Sequence, residues 1–305
     1  MDWRRTGQSN LGLIGMRPAR DSASVGNERF NIRAAAADDI KEMSGVLERA
    51  GLSSSKPELL EFSLASSGTQ MFVGCQDGRV VAVAGSVRFG RTGWLGNVAV
   101  DDDLRGQGLG AAMSQTAVDG LHQAGVETVL LTATDLGRPI YERLGFTDED
   151  VSYGIWEQRW APVLDSDRPA LASAPALVRP GQIDAVITQD AEATGEDRRG
   201  YLVPFADRTW VPAAPGQAGY WLALPWGGGP VIAADPESAR PLITDMIRTS
   251  PGSRLAFPEL NTRGADLAAS LGFHLSRRVR RMRTGPPVPG YRPAVIYNVF
   301  SLAAG

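Results

Sequence analysis

Apolar residues recur at helical spacing at Ile40, Met43, Val46 and Leu47, directly behind Asp38 and Asp39, which suit an N-cap and a first turn. Just upstream, Phe30-Asn31-Ile32-Arg33 alternates as a strand does, and Pro57 opens a second helix reaching about Leu64. Residues 71–75 and 80–87 read as strands joined by Gln76-Asp77-Gly78, whose Asp-Gly pair signals a hairpin. A turn over 88–93 leads to a strand over 94–100. Leu109, Met113, Ala117 and Leu121 then mark a helix, and the β-branched run 126–132 predicts a strand parallel to the one before that helix, a βαβ crossover. A short helix over 138–144, with Pro139 in its first turn, ends at Gly145 before a strand starting at Phe146.

From about 162 to 180 the composition turns to Ala, Pro, Asp and Ser without periodicity, as a linker does. Beyond it the pattern repeats in order. Ile32-Arg33 recurs as Val178-Arg179, Val100-Asp101 as Ala234-Asp235, and Leu144-Gly145-Phe146 as Leu271-Gly272-Phe273, at a steadily shrinking offset. A diverged duplication in a shorter second copy has this signature. The expected organisation is a mobile tail over 1–28, a first domain over 29–161, a linker over 162–177 and a second domain over 178–305. The expected fold class is α/β (α+β), each half a mixed, mainly antiparallel sheet flanked by helices.

The chemistry concentrates between Asn97 and Ala112. A strand, Asp101-Asp102-Asp103, the loop Arg105-Gly106-Gln107-Gly108-Leu109-Gly110 and a helix start follow without a gap. Alternate glycines let backbone amides approach a ligand, and a helix start offers unpaired N–H groups and the positive end of its dipole. Phosphate is the usual guest. A P-loop would need a lysine with Ser or Thr after its last glycine, which is missing. A dinucleotide fingerprint matches by letter at Gly106, Gly108 and Ala111, but that motif opens a parallel sheet, and here helices and an antiparallel meander come first. A ligand-free glycine turn and an acyl-CoA site remain. In the second copy Pro236-Glu237-Ser238-Ala239-Arg240-Pro241 replaces the glycines, and Ala268 stands where the first has Tyr141, so that copy is expected to hold no cofactor.

The 305 residues carry a net charge of −3, which gives no reason to expect nucleic acid or an anionic membrane as partner. Cys75 is the sole cysteine, and His122 and His274 are the only histidines, so neither an intrachain disulfide nor a metal site is expected. Residues 11–16 are too short for a signal-peptide core, and the expected location is cytoplasmic. Arg277, Arg278, Arg280, Arg281 and Arg283 crowd one strand, read as a solvated strand face.

Three segments together resemble the GNAT family of acetyl-CoA-dependent N-acetyltransferases: Val98-Ala99-Val100, the Arg105 to Gly110 loop, and Tyr141-Glu142-Arg143-Leu144-Gly145-Phe146. The second half resembles the degenerate GNAT-like domain that accompanies such domains in one branch, through Asp190, Gly195, Asp197 and Arg198; Leu131-Thr132-Ala133-Thr134 before Gly137 fits that branch. The resemblance implies a tandem GNAT fold with acetyl-CoA as co-substrate. It gives the binding role to Val98, Ala99, Val100, Arg105, Gly106, Gln107, Gly108, Leu109, Gly110, Ala111 and Thr134, with backbone groups of Val98 and Val100 for the pantetheine and the amides over 107–112 for the pyrophosphate. Tyr141 stands at the position of the general acid. Thr134 stands where many members carry asparagine. The resemblance implies an N-acyltransferase acting on a primary amine of a small polar molecule, such as the aminoglycoside-type antibiotic kasugamycin; a homodimer is an allowed assembly. The alternative is an acyl-CoA-binding sensor with little catalysis. Many members carry an acid on the fourth strand, and here none lies between Trp94 and Val100; Asp135, Asp148, Glu149, Asp190 and Glu259 are the substitutes weighed. Trp94, Trp156, Trp210, Trp221 and Trp226 are read either as walls of an acceptor cleft or as core.

Overall fold

The computed structural model describes residues 30–52, 56–158, 174–179 and 181–305. The tail expected over 1–28 and most of the linker expected over 162–177 lie outside the described residues. Contacts divide the chain into two compact units, one of Met1–Arg88 and Leu95–Val126, the other of Phe89–Trp94 and Glu127–Gly305.

In the first unit, β1 (Phe30–Ala34), β2 (Thr69–Gln76) and β3 (Arg79–Phe89) form antiparallel ladders, with Ile32 opposite Gly74 and Val73 opposite Val83. Asp77 and Gly78 close the hairpin at φ 52° and 80°, the left-handed pair that a type I′ turn demands. The fourth strand, β4 (Thr92–Val100), enters this unit at Leu95 and lies beside β3 in the sheet. Helices α1 (Ile40–Arg49), α2 (Pro57–Ala65) and α3 (Leu109–Gln123) complete the unit. The apolar face of α1, Met43, Val46 and Leu47, packs with Leu60, Met71, Val73, Val83 and Ala99 into one core. Each of the valine, leucine and methionine side chains contributes about 1.5–3 kcal/mol by burial. Arg33 holds both oxygens of Asp39 at 2.6 and 2.7 Å, and the Ala36 N–H joins them at 2.7 Å, fixing the entry to α1.

The second unit starts with the first residues of β4 paired in parallel with β5 (Thr128–Ala133): Thr92 with Thr128, Gly93 with Val129, Trp94 with Leu130. The expected crossover is therefore present. Then come α4 (Arg138–Arg143), β6 (Thr147–Gln158), β7 (Ala176–Leu177), α5 (Ile183–Thr194), α6 (Arg199–Leu202), β8 (Thr209–Val211), β9 (Gly219–Leu222), β10 (Val231–Ala233), α7 (Pro236–Thr249), β11 (Leu255–Pro258), α8 (Thr262–Ser270), β12 (Phe273–Thr284) and β13 (Ile296–Asn298). From β7 to β12 the order is strand, two helices, three strands, helix, strand, helix, strand. The order from β1 to β6 is the same, as a duplication requires.

The copies exchange their last strands. β12 pairs antiparallel with β5, Arg281 opposite Thr132, and with β6, Val279 opposite Tyr153; β6 in turn pairs with β11, Gly154 opposite Phe257. The sixth strand of each copy thus lies on the fifth of the other. These ladders explain why the contact division falls elsewhere than between 161 and 178, where the sequence pattern divides: β6 shares a unit with the second copy. They also correct part of the solvated face expected for the arginine-rich strand: Arg277, Arg278 and Arg280 are exposed as expected, while Arg281 and Arg283 are withdrawn. With a partner on each edge β12 is central, Arg281 is 3% exposed, and its neighbours are ion-paired.

A second sheet runs β13-β10-β9-β8-β7. Trp221, Ile243, Met246, Phe257 and Tyr297 pack under it, with Trp156 and Trp210 partly buried against them. Trp94 and Trp226 are buried too, so the tryptophans weighed as cleft walls are core residues. Among the described residues no helix is long and apolar enough to cross a membrane.

Candidate active site

Strand β4 ends in a kink. Asn97 adopts φ 53° inside the strand, a left-handed conformation that few non-glycine residues take. Asp101 follows, 6% exposed, bound by Arg49 through Nε at 2.9 Å and Nη2 at 2.8 Å, while its N–H donates to Val81 O at 2.9 Å. The strand end is fixed. A 3-10 turn over Asp102–Leu104 leads into the glycine loop. Arg105 lies over this turn, with Nη2 at 2.6 Å from Asp102 and Nε donating to Val100 O at 3.3 Å. The Val100 carbonyl, expected to be open, therefore already accepts one hydrogen bond.

Gly106 and Gly108 have φ 78° and 82°, and a Cβ at either would meet no atom within 4 Å. The requirement for glycine here is conformational, and the space in front is open. Gly108 is the N-cap of α3, where no side chain caps the helix and no acid lies in the first turn. Ala112 N–H is the first to bond back, to Gly108 O at 3.1 Å; by helix geometry the amides of Leu109, Gly110 and Ala111 have no intrahelical acceptor. Leu109 is buried and anchors the turn, whereas Gln107 is exposed. A fifteen-residue helix directs its dipole at this opening.

The matching helix start in the second copy is closed. Asp235 caps α7, its carboxylate accepting the Ser238 N–H at 2.8 Å, and Glu237 adds a second acid to the first turn. That backbone hydrogen bond is the main cause holding the Asp235 carboxyl below its ordinary range. An anion approaching α7 meets a carboxylate already in place.

Tyr141 sits on α4 after Gly137 and Pro139, its ring edge-on to Phe146 at 6.0 Å. Burial pushes its hydroxyl up to about 12. The phenol is thus protonated at neutral pH, as a proton donor must be. Thr134 shapes the turn into α4: its Oγ1 accepts the Gly137 N–H at 3.3 Å and its carbonyl accepts the Arg138 N–H at 2.9 Å. Its own hydroxyl hydrogen is left to give.

The carboxylates weighed as base are mostly engaged. Asp148 pairs with Arg138 at 2.9 Å, Glu149 with Arg283 at 3.0 Å and with Arg281, and Glu259 with Arg278 at 2.6 Å; Asp135 is exposed. Asp190 is fully buried, gripped by Arg198 and by the Tyr220 hydroxyl. Reasoning from sequence passed over Glu196, which is 4% exposed and accepts the Thr92 hydroxyl at 2.9 Å and the Trp94 indole N–H at 2.8 Å. Its signal was present: it stands inside the Asp190…Gly195-x-Asp197-Arg198 element, at the x.

A repeated α+β fold in which one copy offers an uncapped, glycine-flanked helix start behind a kinked strand, and the other a capped one, presents an opening with the chemistry to receive an anionic group in its first copy. Family models described as "Acetyltransferase (GNAT) domain" match residues 67–148 and 186–297, together more than half of the chain. The chain belongs to the GNAT acetyltransferase family, with two such domains in tandem. Solved structures share this fold over most of the chain. A candidate acetyltransferase from Pyrococcus horikoshii matches at 19% identity and TM-score 0.77, over 94% of this chain and 99% of that one. A GCN5-related N-acetyltransferase from Sphaerobacter thermophilus matches at 16% and 0.60, over 88% and 99%. A tandem GNAT protein from the clavulanic acid biosynthesis pathway matches at 16% and 0.56, over 85% and 99%.

Proposed function

We propose that the chain moves an acetyl group from acetyl-CoA to a primary amine of a small polar molecule, of which an aminoglycoside-type antibiotic such as kasugamycin is one example, in the cytoplasm. The observation that carries the co-substrate is the contrast between the two helix starts, open at Gly108 and closed by Asp235 at the equivalent place. The residues at the open start fit a pyrophosphate: free amides at Leu109, Gly110 and Ala111, glycines at 106 and 108 that leave the approach clear, and no competing acid.

In this reading Val98, Ala99 and Val100 offer backbone groups to the pantetheine arm, Arg105, Gln107 and the loop amides hold the phosphates, and Thr134 supplies a hydroxyl. Acetyl-CoA supplies a thioester whose carbonyl the amine attacks. Tyr141 holds a proton for the departing sulfur. The catalytic domain is the copy over 29–161, and the copy over 178–305 carries no cofactor site.

The test is release of CoA thiol from acetyl-CoA with a panel of amines, wild type against Tyr141→Phe. The expected result is amine-dependent release, reduced about 10²–10⁴-fold in the variant, the range for a lost general acid. Tight acetyl-CoA binding with no release for any amine would favour the sensor reading.

A further inference from the structure

Three consecutive acids precede the glycine loop, and two of them are answered by arginine. Asp101 is bound by Arg49, through Nε at 2.9 Å and Nη2 at 2.8 Å. Asp102 is bound by Arg105, whose Nη2 lies 2.6 Å away. Asp103 is exposed and has no ion pair among the described residues. All five residues belong to the first unit, together with the glycine loop and α3. Both arginines are therefore engaged before an anion arrives at the helix start.

Arg105 is the residue with two calls on it. While Nη2 holds Asp102, Nε donates to Val100 O at 3.3 Å, so the side chain is folded back onto the strand end. The proposed site asks the same guanidinium to hold phosphate and the same carbonyl to receive the pantetheine arm. In the free protein each is spent on the other. The hold is light: the Arg105 and Asp102 side chains are 41% and 69% exposed, so water and salt screen the pair, and 3.3 Å is long for an N–H···O bond. A pyrophosphate is the stronger partner, because its oxygens match the guanidinium fork two at a time. Arg105 stands three residues before the N-cap Gly108, at most about 11 Å along an extended backbone, which a long side chain can bridge.

We infer that Asp102 is a positioning residue for the co-substrate: in the free protein it holds Arg105 on Val100, and acetyl-CoA draws the guanidinium off this pair onto its phosphates. The inference rests on the acetyl-CoA reading above. The exchange frees the Val100 carbonyl for the pantetheine arm and leaves the Asp102 carboxylate to water. Binding therefore has to break the Arg105–Asp102 pair, so Asp102 lowers the affinity and Arg105 raises it. The two effects are coupled, because the acid acts through the arginine. Asp101 takes no part in the exchange, since Arg49 keeps it.

Calorimetric titration of acetyl-CoA tests this on wild type, Asp102→Asn, Asp103→Asn, Arg105→Met and the double variant Asp102→Asn with Arg105→Met, with circular dichroism confirming that each is folded. Asp102→Asn should bind about 2–5-fold tighter than wild type, and Arg105→Met about tenfold weaker. Asp103→Asn removes an equal charge one residue on and measures plain repulsion, so its gain should be the smaller. Once residue 105 is Met, the gain from Asp102→Asn should fall to that level. An acid that merely supports the turn would give no gain on removal and no dependence on Arg105. Unchanged or weaker binding in Asp102→Asn, or a gain that persists undiminished beside Arg105→Met, would overturn the inference while leaving the acetyl-CoA site intact. If wild type binds no acetyl-CoA, the reading itself fails and the inference falls with it.

Discussion

Arg198 holds Asp190 through two parallel hydrogen bonds, Nη2 to Oδ1 at 2.6 Å and Nε to Oδ2 at 2.9 Å, with both side chains withdrawn from water. Tyr220 donates to the same carboxylate, and the remaining Nη1 of Arg198 reaches Gly305 O at 2.5 Å. The pair ties the end of α5 to the segment that opens α6. Breaking it from one side leaves a charge buried without a partner, so Asp190→Asn should cost about 3–5 kcal/mol in chemical denaturation. Replacing both partners together, Asp190→Leu with Arg198→Met, should recover much of that loss. A single-variant cost below about 1 kcal/mol would mean that the pair is not buried as described.

Asp39 predicts an acid-side loss of stability. Arg33 is the main cause holding its carboxyl below the ordinary range, assisted by the Ala36 N–H. A depressed folded-state value means stability that is present above the unfolded value of 3.8 and lost as pH falls through the folded one. Asp39→Asn should therefore reduce the melting temperature at neutral pH, by the equivalent of about 1 kcal/mol because Arg33 is partly exposed, and the gap from wild type should close on acidification. Parallel melting curves across the acid range check both signs.

Glu196 predicts the opposite sign. Its folded value is raised, so the wild-type chain loses stability as pH rises from the unfolded value of 4.5 through the folded one. Glu196→Gln should melt higher than wild type above that window and equally below it. Glu196→Ala, which leaves Trp94 Nε1 without its acceptor while Thr92 Oγ1 keeps the Phe89 carbonyl, should cost about 1–3 kcal/mol. Thermal scans of the two variants separate removal of a charge from removal of a hydrogen-bond acceptor.

At α7 the closed helix start can be weakened. Asp235→Ala removes the bond to the Ser238 N–H and should destabilise the chain by about 1 kcal/mol. Acetyl-CoA stoichiometry should not rise, because Glu237 and two prolines remain at that start. Denaturation and titration of the same preparation read both outcomes.

Much of this fold could be read from local signals. The Asp77-Gly78 hairpin, the Asp38-Asp39 helix entry and the Gly106 to Gly110 loop are each written in a few adjacent residues, and each lies where the pattern put it. The repeat of elements was visible through Leu144-Gly145-Phe146 and Leu271-Gly272-Phe273. The strand exchange was not, because pairing of β12 with β5 and β6 joins residues more than a hundred apart and leaves no periodic mark. For the same reason the burial of Arg281 on β12 left no mark: its counter-charge, Glu149, belongs to the other copy. The tryptophans looked equally suited to a cleft or a core, since an indole carries both an apolar body and a polar edge. Glu196 escaped notice for the complementary reason, that burial is a property of the assembled fold and no single residue type announces it.

The central claim is that one copy, and only one, holds acetyl-CoA at the open start of α3. Gly108 is the position to challenge, since a side chain there meets no packed atom and costs only about 1–2 kcal/mol of left-handed strain. Calorimetric titration of acetyl-CoA should show one site per chain in wild type and no binding in Gly108→Glu, with circular dichroism confirming that the variant is folded. Unchanged affinity in Gly108→Glu, or two sites per chain in wild type, would contradict the account.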